Sequence, residues 1–464
     1  MFAFLQKVNS VLWSGPLLVL LLGTHIILTV RSGFIQKKVI KGIKLSLYGP
    51  DSFAILATTL AATLGTGNII GVATAVICGG SGAIFWMWLS AFLGGASAFI
   101  ESTLAQIYKK KNADGSSYGG PAFYMRDALN ARWLGVIFSV LIIFTYAIGY
   151  NMLAAFNLQS TFQVFSFYGD RTPAIIGVIL AALFAAVVIG GAHRLVKVTG
   201  VLVPVMGIIY VAISLIVLVL NIGNVPAMFA GIFKNAFDFQ AIFGGFAGSC
   251  IMFGIKRGLY SNEAGMGSAP NAAATADVSH PVKQGLVQML SVFIDTMLIC
   301  TATAFMCLST NIIPQNYLGA DGSADAAGYV QAATASTLGK FGPIFIAFAM
   351  CLFAFTTLIG NYSYCEGCIR FIIQRDIKPG ELLAFRLFAT ALVFVGSIAS
   401  AGLVWNTADM MQGLMVITNM PTILLLGGTA VKCLRDYQKQ KAEGKDPHFV
   451  AADIELKQDT DFWK

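Results

Sequence analysis

Residues 55–78 read ILATTLAATLGTGNIIGVATAVIC. The stretch is apolar and long enough to cross a hydrocarbon core of about 30 Å. Its middle, Leu64-Gly65-Thr66-Gly67-Asn68, is poor material for a continuous helix. In lipid, a backbone group released from its helix partner must be satisfied by protein or by a polar cavity. Secondary transporters use such interruptions. One half-helix offers its N–H groups and partial positive charge to a carboxylate, while the unwound carbonyls coordinate a cation. Packing of Gly67 and Gly71 on a small-xxx-small face is the competing explanation. It accounts for the glycines but not for Asn68 beside Thr66 and Thr63. A dinucleotide-binding fingerprint is excluded, because no strand precedes the glycines and their spacing is wrong.

The rest of the chain has the same character. Of 464 residues, 57% are hydrophobic and 11% charged, with a mean hydropathy of +0.75, whereas soluble domains carry about 25% charge. The alternating pattern of a membrane β-barrel is absent. The expected fold is an all-α polytopic membrane protein with eleven spans, at 14–30, 54–78, 82–106, 133–165, 173–190, 196–221, 239–258, 284–309, 341–368, 382–402 and 405–432. With the N-terminus outside, 26 of the 30 Lys and Arg residues fall on the cytoplasmic side, 256–283 included, which fixes the orientation by the positive-inside rule. The net charge of +8 is thus a topology device and not a nucleic-acid footprint. Lys109-Lys110-Lys111 reads as a membrane-flanking anchor. The first apolar stretch has one preceding lysine and no clear cleavage site, so it reads as a retained span. The eight cysteines lie in or beside apolar runs and read as small buried hydrophobes. Cys365-Glu-Gly-Cys368 has redox or zinc spacing but no second pair. The longest outer loop, 310–340, carries Asp321 and Asp325. The tail from 433 reads as a short cytoplasmic extension without a core of its own.

An inverted repeat would place a second broken span five spans after the first. Span seven begins QAIFGGFAGS at 240–249, with Gly244, Gly245 and Gly248; Gly254 and Gly258 are further candidates for the break. Spans two to six (unit 51–222) and seven to eleven (unit 223–432) would then insert with opposite topology, flanked by a peripheral first span (1–50) and the tail (433–464). Two acids fall inside spans, Glu101 and Asp295. A carboxylate there is costly and usually functional. Glu101 is expected to bond freed amides of the broken helices or to bind a proton. His25, on the peripheral span, reads as incidental.

Four stretches resemble the alanine/glycine:cation symporter family: ATLGTGNIIGVA (62–73), YGGPAFYM (118–125), GIKRGLYSNEAGMGSAP (254–270) and LFAFTTLIG (352–360). The resemblance covers nearly the whole chain. It implies sodium-coupled uptake of small neutral amino acids on a leucine-transporter-type fold with an extra first helix. It also implies a sodium site made by the hydroxyls of Thr356 and Thr357 and the carbonyls of Ala61, Leu64 and Phe353. Absent the resemblance, back-bonding of the threonines to their helix would be preferred. The substrate carboxylate would lie on the amides of Thr66 and Gly67, next to Gly65 and Asn68. Gln159 matches a substrate-contacting position, and Phe165 and Phe246 would supply apolar lining. Many alanine carriers have Trp where this chain has Asn361, followed by Tyr362. An amide in place of an indole implies a roomier, more polar pocket, open to glutamine.

The expected function is a sodium-coupled symporter of the bacterial-type cytoplasmic membrane. It would act as a monomer, with sodium and a small neutral amino acid (alanine, glycine or glutamine) as its ligands and without nucleic-acid or enzymatic roles. Proton coupling through Glu101 or Asp295 is the first rival. A channel is the second, although no ring-forming filter motif is present. A membrane enzyme lacks a His/Asp cluster within the spans. A structural protein would leave the broken helices unexplained.

Overall fold

The computed structural model describes residues 2–40, 42–43, 56–57, 60–61, 63, 64–112, 115–238, 249–320 and 322–464, with backbone alone for 2 and 191–200. Helices α1 (Phe2–Leu12) and α2 (Gly15–Arg31) meet at 46° as one bent apolar span. After the interruption at Leu64 and Gly65 comes α3 (Gly67–Gly79), then α4 (Ala83–Ile107). A two-stranded hairpin, Lys110–Lys111 with Ser117–Tyr118, leads to α5 (Pro121–Leu129). Next are α6 (Arg132–Ser160), α7 (Thr172–Val188), α8 (Gly191–Leu220) and α9 (Val225–Ala236). The remainder holds α10 (Cys250–Asn262), α11 (Ala269–Ala273), α12 (Pro281–Leu308), α13 (Ala326–Leu338), α14 (Phe341–Ile373), α15 (Pro379–Ile398) and α16 (Ala401–Ala442).

The punctuation follows the sequence. Proline sits in the first turn of α5, α7, α9, α12 and α15, where its missing N–H costs nothing. Left-handed residues stop three helices: Asn130 (φ 52°) ends α5, Glu263 (φ 58°) ends α10 and Gln374 (φ 54°) ends α14. Among the described residues, seven helices are long and apolar enough to span a membrane, or eight with the bent pair. Of the other three expected spans, span two is cut at its midpoint, span five is a 17-residue helix, and residues 239–248 of span seven lie outside the described residues.

The core is built on α4, which is buried along most of its length and packs against α2, α10 and α12. Gly254 and Gly258 do not break span seven. They lie inside α10 and let it close on α4. A Cβ at Gly254 would sit 2.3 Å from the Ala83 carbonyl oxygen, and one at Gly258 3.1 Å from Met87. Gly244, Gly245 and Gly248 lie outside the described residues. Large apolar side chains such as Ile175, Ile208, Val219 and Leu387 face outward from α7, α8 and α15, a surface suited to lipid rather than water.

The tail is not free of the core. It folds back over the end of the bundle where α4 finishes and α12 begins. Phe449 N–H donates to the Ser279 carbonyl at 2.9 Å, and Trp463 Nε1 donates to the Gln106 carbonyl at 2.8 Å. Phe449, Ile454 and Trp463 are buried. Lys109 is no surface anchor: it is buried, donates to the Ala276 carbonyl at 2.9 Å, and lies 4.6 Å and 4.9 Å from the Phe462 and Trp463 rings. The apolar residues of the tail cover the lysine stem, which a hydropathy count misses because they are few and scattered.

His280 ties this end together. Its Nδ1 accepts the Val282 N–H at 3.2 Å and caps α12, so Nε2 carries the proton toward Asp436 Oδ2 at 3.1 Å. Burial pushes its pKa down to about 4, with Asp436 opposing. The unfolded chain takes its proton near pH 6.5. Between these values the unfolded state binds more protons, so stability rises with pH across the window and is lost as pH falls from about 6.5 to about 4. The wild-type melting temperature should therefore drop more steeply over that range than that of His280→Gln. Parallel slopes would contradict this assignment.

Candidate functional site

The first break is specific. Leu64 N–H makes the last helical bond, to the Leu60 carbonyl at 2.6 Å. Gly65 N–H turns instead to Asn68 Oδ1 at 2.7 Å, and Asn68 N–H donates to the Gly65 carbonyl at 3.1 Å. The next donors in the ladder are thus diverted from the Ala61 and Leu64 carbonyls. A wide π-type turn, Gly67–Gly71, then restarts the helix, a form common at functional sites. The opposing wall is α14. A Cβ on Gly65 would lie 1.9 Å from Thr357 Oγ1, so only glycine admits this approach. Thr357 Oγ1 donates to the Phe353 carbonyl at 2.7 Å, and Thr356 Oγ1 reaches the same carbonyl at 3.1 Å. Both threonines therefore back-bond to their helix, with Thr357 in contact with the break. All five nominated sodium ligands are buried.

Beyond Gly65, Thr66 Oγ1 lies 3.0 Å from Tyr260 Oη and 3.5 Å from Asn157 Nδ2. The Tyr260 ring covers Gly67 and Gly71, where a Cβ would come within 3.2 Å of it. It packs edge-on to Tyr150 and Trp405 at 5.0 Å and 5.6 Å. Tyr260, Asn157 and Tyr150 were not nominated from sequence. Tyr260 stands within the quoted GIKRGLYSNEAG stretch, which was the available signal. Asn68 turns away from Thr66: its Nδ2 donates to Asp295 Oδ1 at 2.7 Å and Ser261 Oγ at 2.9 Å. Asn361, one turn beyond Thr357, donates to Asn151 Oδ1 at 3.0 Å, leaving its own Oδ1 and Asn151 Nδ2 buried without partners. The Tyr362 hydroxyl points elsewhere, to Glu366 and Arg386. Gln159 and Phe165 are not brought to the break. Gln159 accepts from Tyr168 at 2.6 Å, and Phe165 stacks on Phe167 at 5.6 Å beyond the end of α6. A spacing of two turns Gln159 away from the face that carries Asn157. Phe246 lies outside the described residues.

A second interruption, outside the expected span seven, lies at Glu263–Ser268. There Glu263, Gly265 (φ 90°) and Gly267 (φ 81°) are left-handed before α11 begins. The two interruptions share a pattern legible in the sequence, Gly65-x-Gly67-Asn68 and Gly265-x-Gly267-Ser268. Glu101 sits on this break. Its Oε1 accepts Gly265 N–H at 3.2 Å and its Oε2 accepts Asn419 Nδ2 at 2.9 Å, while Asn419 also holds the Gly265 carbonyl at 2.8 Å. Asp295 joins the first break to the end of α10, accepting from Asn68 and, at 3.0 Å, from Ser261 Oγ. It lies in the π-type stretch Phe293–Cys300 of α12, and Tyr146 and Tyr150 lie in that of α6, Ile143–Tyr150.

Lys256 and Arg257, counted above with the cytoplasmic charges, are instead buried in the bundle. Arg257 grips Asp409 through two bonds of 2.9 Å, and Lys256 Nζ lies 2.6 Å from Asp409 Oδ2. Their stems and charges rest on Trp405 and Trp13, at 4.3 Å and 5.3 Å. Both thiols of the Cys365/Cys368 pair are buried, one toward the Asn361 carbonyl and the other toward Asn271 Oδ1.

A helix interrupted at its midpoint inside an apolar bundle is a feature of membrane transporters. Comparison with known proteins gives the family. Residues 1–451 match the model of the sodium:alanine symporter family, and the chain belongs to that family. It is 41% identical over 450 residues to a Bacillus subtilis protein named "Probable sodium/glutamine symporter GlnT", covering 95% of this chain and 91% of that one. It is 37% identical over 462 residues to the sodium/alanine symporter AgcS of Methanococcus maripaludis, covering 95% and 99%. A sodium/proton-dependent alanine carrier protein of Bacillus sp. PS3 is 35% identical over 429 residues, covering 91% and 95%. Among solved structures, MhsT in complex with L-phenylalanine superposes with a TM-score of 0.54 at 13% identity, over 90% of this chain and 93% of that one. That likeness is one of fold, and it agrees with the leucine-transporter type. The protein is a transporter of amino acids and cations, not an enzyme.

Proposed function

We propose that the chain is a sodium-coupled symporter that imports small neutral amino acids by alternating access. The observation that carries this reading is the first break. The Ala61 and Leu64 carbonyls, diverted from their helix donors, lie on the same interruption that touches Thr357. With the Phe353 carbonyl and the hydroxyls of Thr356 and Thr357 they supply five neutral oxygens, a set suited to a monovalent cation that must also leave. The Thr66 and Gly67 amides, at the start of α3, would receive the substrate carboxylate. Tyr260 and Asn157 would frame it. The unpartnered Asn361 Oδ1 and Asn151 Nδ2 favour a substrate with a polar end, and glutamine stands beside alanine and glycine for that reason. Gln159 and Phe165 would join the substrate only through movement of the segments that carry them.

The tail face is assigned to the cytoplasm and the N-terminus to the outside of the cytoplasmic membrane. Units 51–222 and 223–432 are read as two inverted five-span repeats, and the protein as a monomer. Proton coupling is the second reading. It is favoured by the burial of Glu101 and Asp295, neither of which forms an ion pair among the described residues.

The test is uptake of radiolabelled alanine and glutamine, separately, into proteoliposomes with an inward sodium gradient or with choline in its place. Sodium-dependent accumulation of either supports the reading, and Thr357→Val should then lose it. Accumulation that is indifferent to sodium would remove the Thr356/Thr357 site.

A further inference from the structure

Helix α12 has three unlike faces. Gly285 and Met289 pack on α4: a Cβ on Gly285 would lie 2.3 Å from Thr103 Oγ1, and one on Gly95 would lie 3.3 Å from Met289 Cγ. A second face is apolar, with Leu286, Leu290, Ile294 and Leu298 at every fourth residue. Its last two members line a dry cavity of about 480 Å³ shared with Leu60 and Leu64. The third face is polar. Gln284, Gln288, Ser291 and Asp295 are spaced by four, three and four residues, which sets them on one side of the helix. They are 0%, 1%, 0% and 0% exposed.

This stripe offers more hydrogen bonds than it receives. Both ends of the Gln284 amide, and Gln288 Oε1, have no partner among the described residues. Gln288 Nε2 donates to Ser291 Oγ at 2.8 Å, and Ser291 Oγ donates to the Gln288 carbonyl at 2.7 Å. Polar groups shut away from water without partners cost stability, so packing alone does not account for them. The stripe also has two ends. Gln284 lies one turn inside the cap residue His280, at the end of the bundle that the tail covers. Asp295, about 16 Å further along the axis, accepts the Asn68 amide at 2.7 Å. Asn68 in turn holds the Gly65 N–H at 2.7 Å. A polar seam therefore runs from the tail face to the first break.

We propose that this face of α12 lines the passage by which sodium leaves the first break for the tail face. The seam is closed in this structure, with every member buried, and it opens to water when the carrier turns inward. The orphaned Oε1 atoms of Gln284 and Gln288 then stand in for part of the ion's water shell. Neutral amide oxygens suit a hard cation, and weak successive contacts let it move on. The inference rests on the sodium reading above and extends it from the site to the way out. Trapped water would satisfy the same amides, but it would not make them reachable from one side of the membrane.

The experiment has two arms, both on the full-length protein. In the first, the eight cysteines are replaced and one thiol is returned by Gln284→Cys, Gln288→Cys or, on the apolar face, Leu286→Cys. Membrane-impermeant cationic and anionic thiosulfonates are added to right-side-out and inside-out vesicles. Gln284→Cys and Gln288→Cys should react only from the tail side, severalfold faster than Leu286→Cys and faster with the cationic reagent. In the second arm, Gln284→Met keeps the native cysteines and removes two unpaired atoms. Its melting temperature should rise while sodium-driven uptake of alanine or glutamine falls severalfold. A glutamine that serves the fold alone would leave uptake at the wild-type rate, and that result overturns the proposal. Reaction at 284 and 288 no faster than at 286, or equal from both sides, overturns it as well. Each arm decides the matter if the variants of the other do not fold. Wild-type accumulation that is indifferent to sodium would instead strike the sodium reading, and the passage with it.

Discussion

Gly65→Ala should abolish uptake in a protein that still folds. The new Cβ would lie 1.9 Å from Thr357 Oγ1, 3.2 Å from its Cβ and 3.4 Å from its Cγ2. Rotating the threonine relieves only the first of these contacts, and it takes the hydroxyl off the Phe353 carbonyl. The remaining relief is a separation of α14 from the break. Overpacking of this kind costs about 1–3 kcal/mol, which is tolerable for the fold. Under the proposed sodium site the change is less forgiving, because that site needs the hydroxyl and the freed carbonyls to face each other. Gly223→Ala, where nothing lies within 4 Å, is the matched control and should be neutral. Adding Thr357→Ala to Gly65→Ala removes the closest contact, so the melting temperature should recover while uptake does not. Wild-type uptake rates in folded Gly65→Ala protein would remove this break from the transport site.

Replacing Asp409 with Asn should be the most destabilising single change in the bundle. The Lys256, Arg257 and Asp409 side chains are 9%, 4% and 7% exposed. Removing the acid leaves two buried cations without compensation. Breaking a buried pair costs about 3–5 kcal/mol, against a total stability of about 5–15 kcal/mol for a typical domain. The Trp13 and Trp405 faces soften the loss but cannot supply a negative charge. The check is the melting temperature in detergent of Asp409→Asn beside the triple variant Lys256→Met, Arg257→Met, Asp409→Leu. The single variant should melt far below wild type, and the triple should regain most of the difference, since apolar replacement of buried ion networks is often neutral or better. A triple variant as unstable as the single would mean that the geometry of the bonds, and not the isolated charge, is what matters.

The membrane class and the first break were readable because both rest on local chemistry: apolar length, and glycine beside a short amide in a place without water. Even the capping of Gly65 by Asn68 follows from residues three apart. Of the glycines considered for a break in span seven, Gly244, Gly245 and Gly248 lie outside the described residues, and Gly254 and Gly258 are inside a continuous helix. Gly254 and Gly258 resemble hinge residues in sequence, yet their role is to let α10 approach Ala83 and Met87 of α4, a tertiary contact that no local pattern encodes. Side-chain direction was the other gap. Gln159 and Asn157 are two residues apart, so the helix sends one toward Tyr168 and the other toward Thr66. Charge counting likewise placed Lys256 and Arg257 at a surface, because their partner Asp409 is distant in sequence, 152 residues from Arg257. The tail's docking rests on a few aromatic residues among many polar ones, too sparse for a composition reading.

The first break contributes only neutral oxygens where the cation is assigned. The carboxylates Glu101 and Glu263 bear on the second, and Asp295 meets the first through the Asn68 amide and not through the nominated cation ligands. A sodium ion held by uncharged donors keeps its full charge, so the loaded form of the carrier is one charge more positive there than the empty form. Crossing is then not electrically silent. An inside-negative membrane would pull the loaded form inward with about 2.3 kcal/mol per charge for each 100 mV, while the empty return would feel little of that force. The cell's resting voltage, as much as its ion gradient, would set the direction in which such a carrier runs.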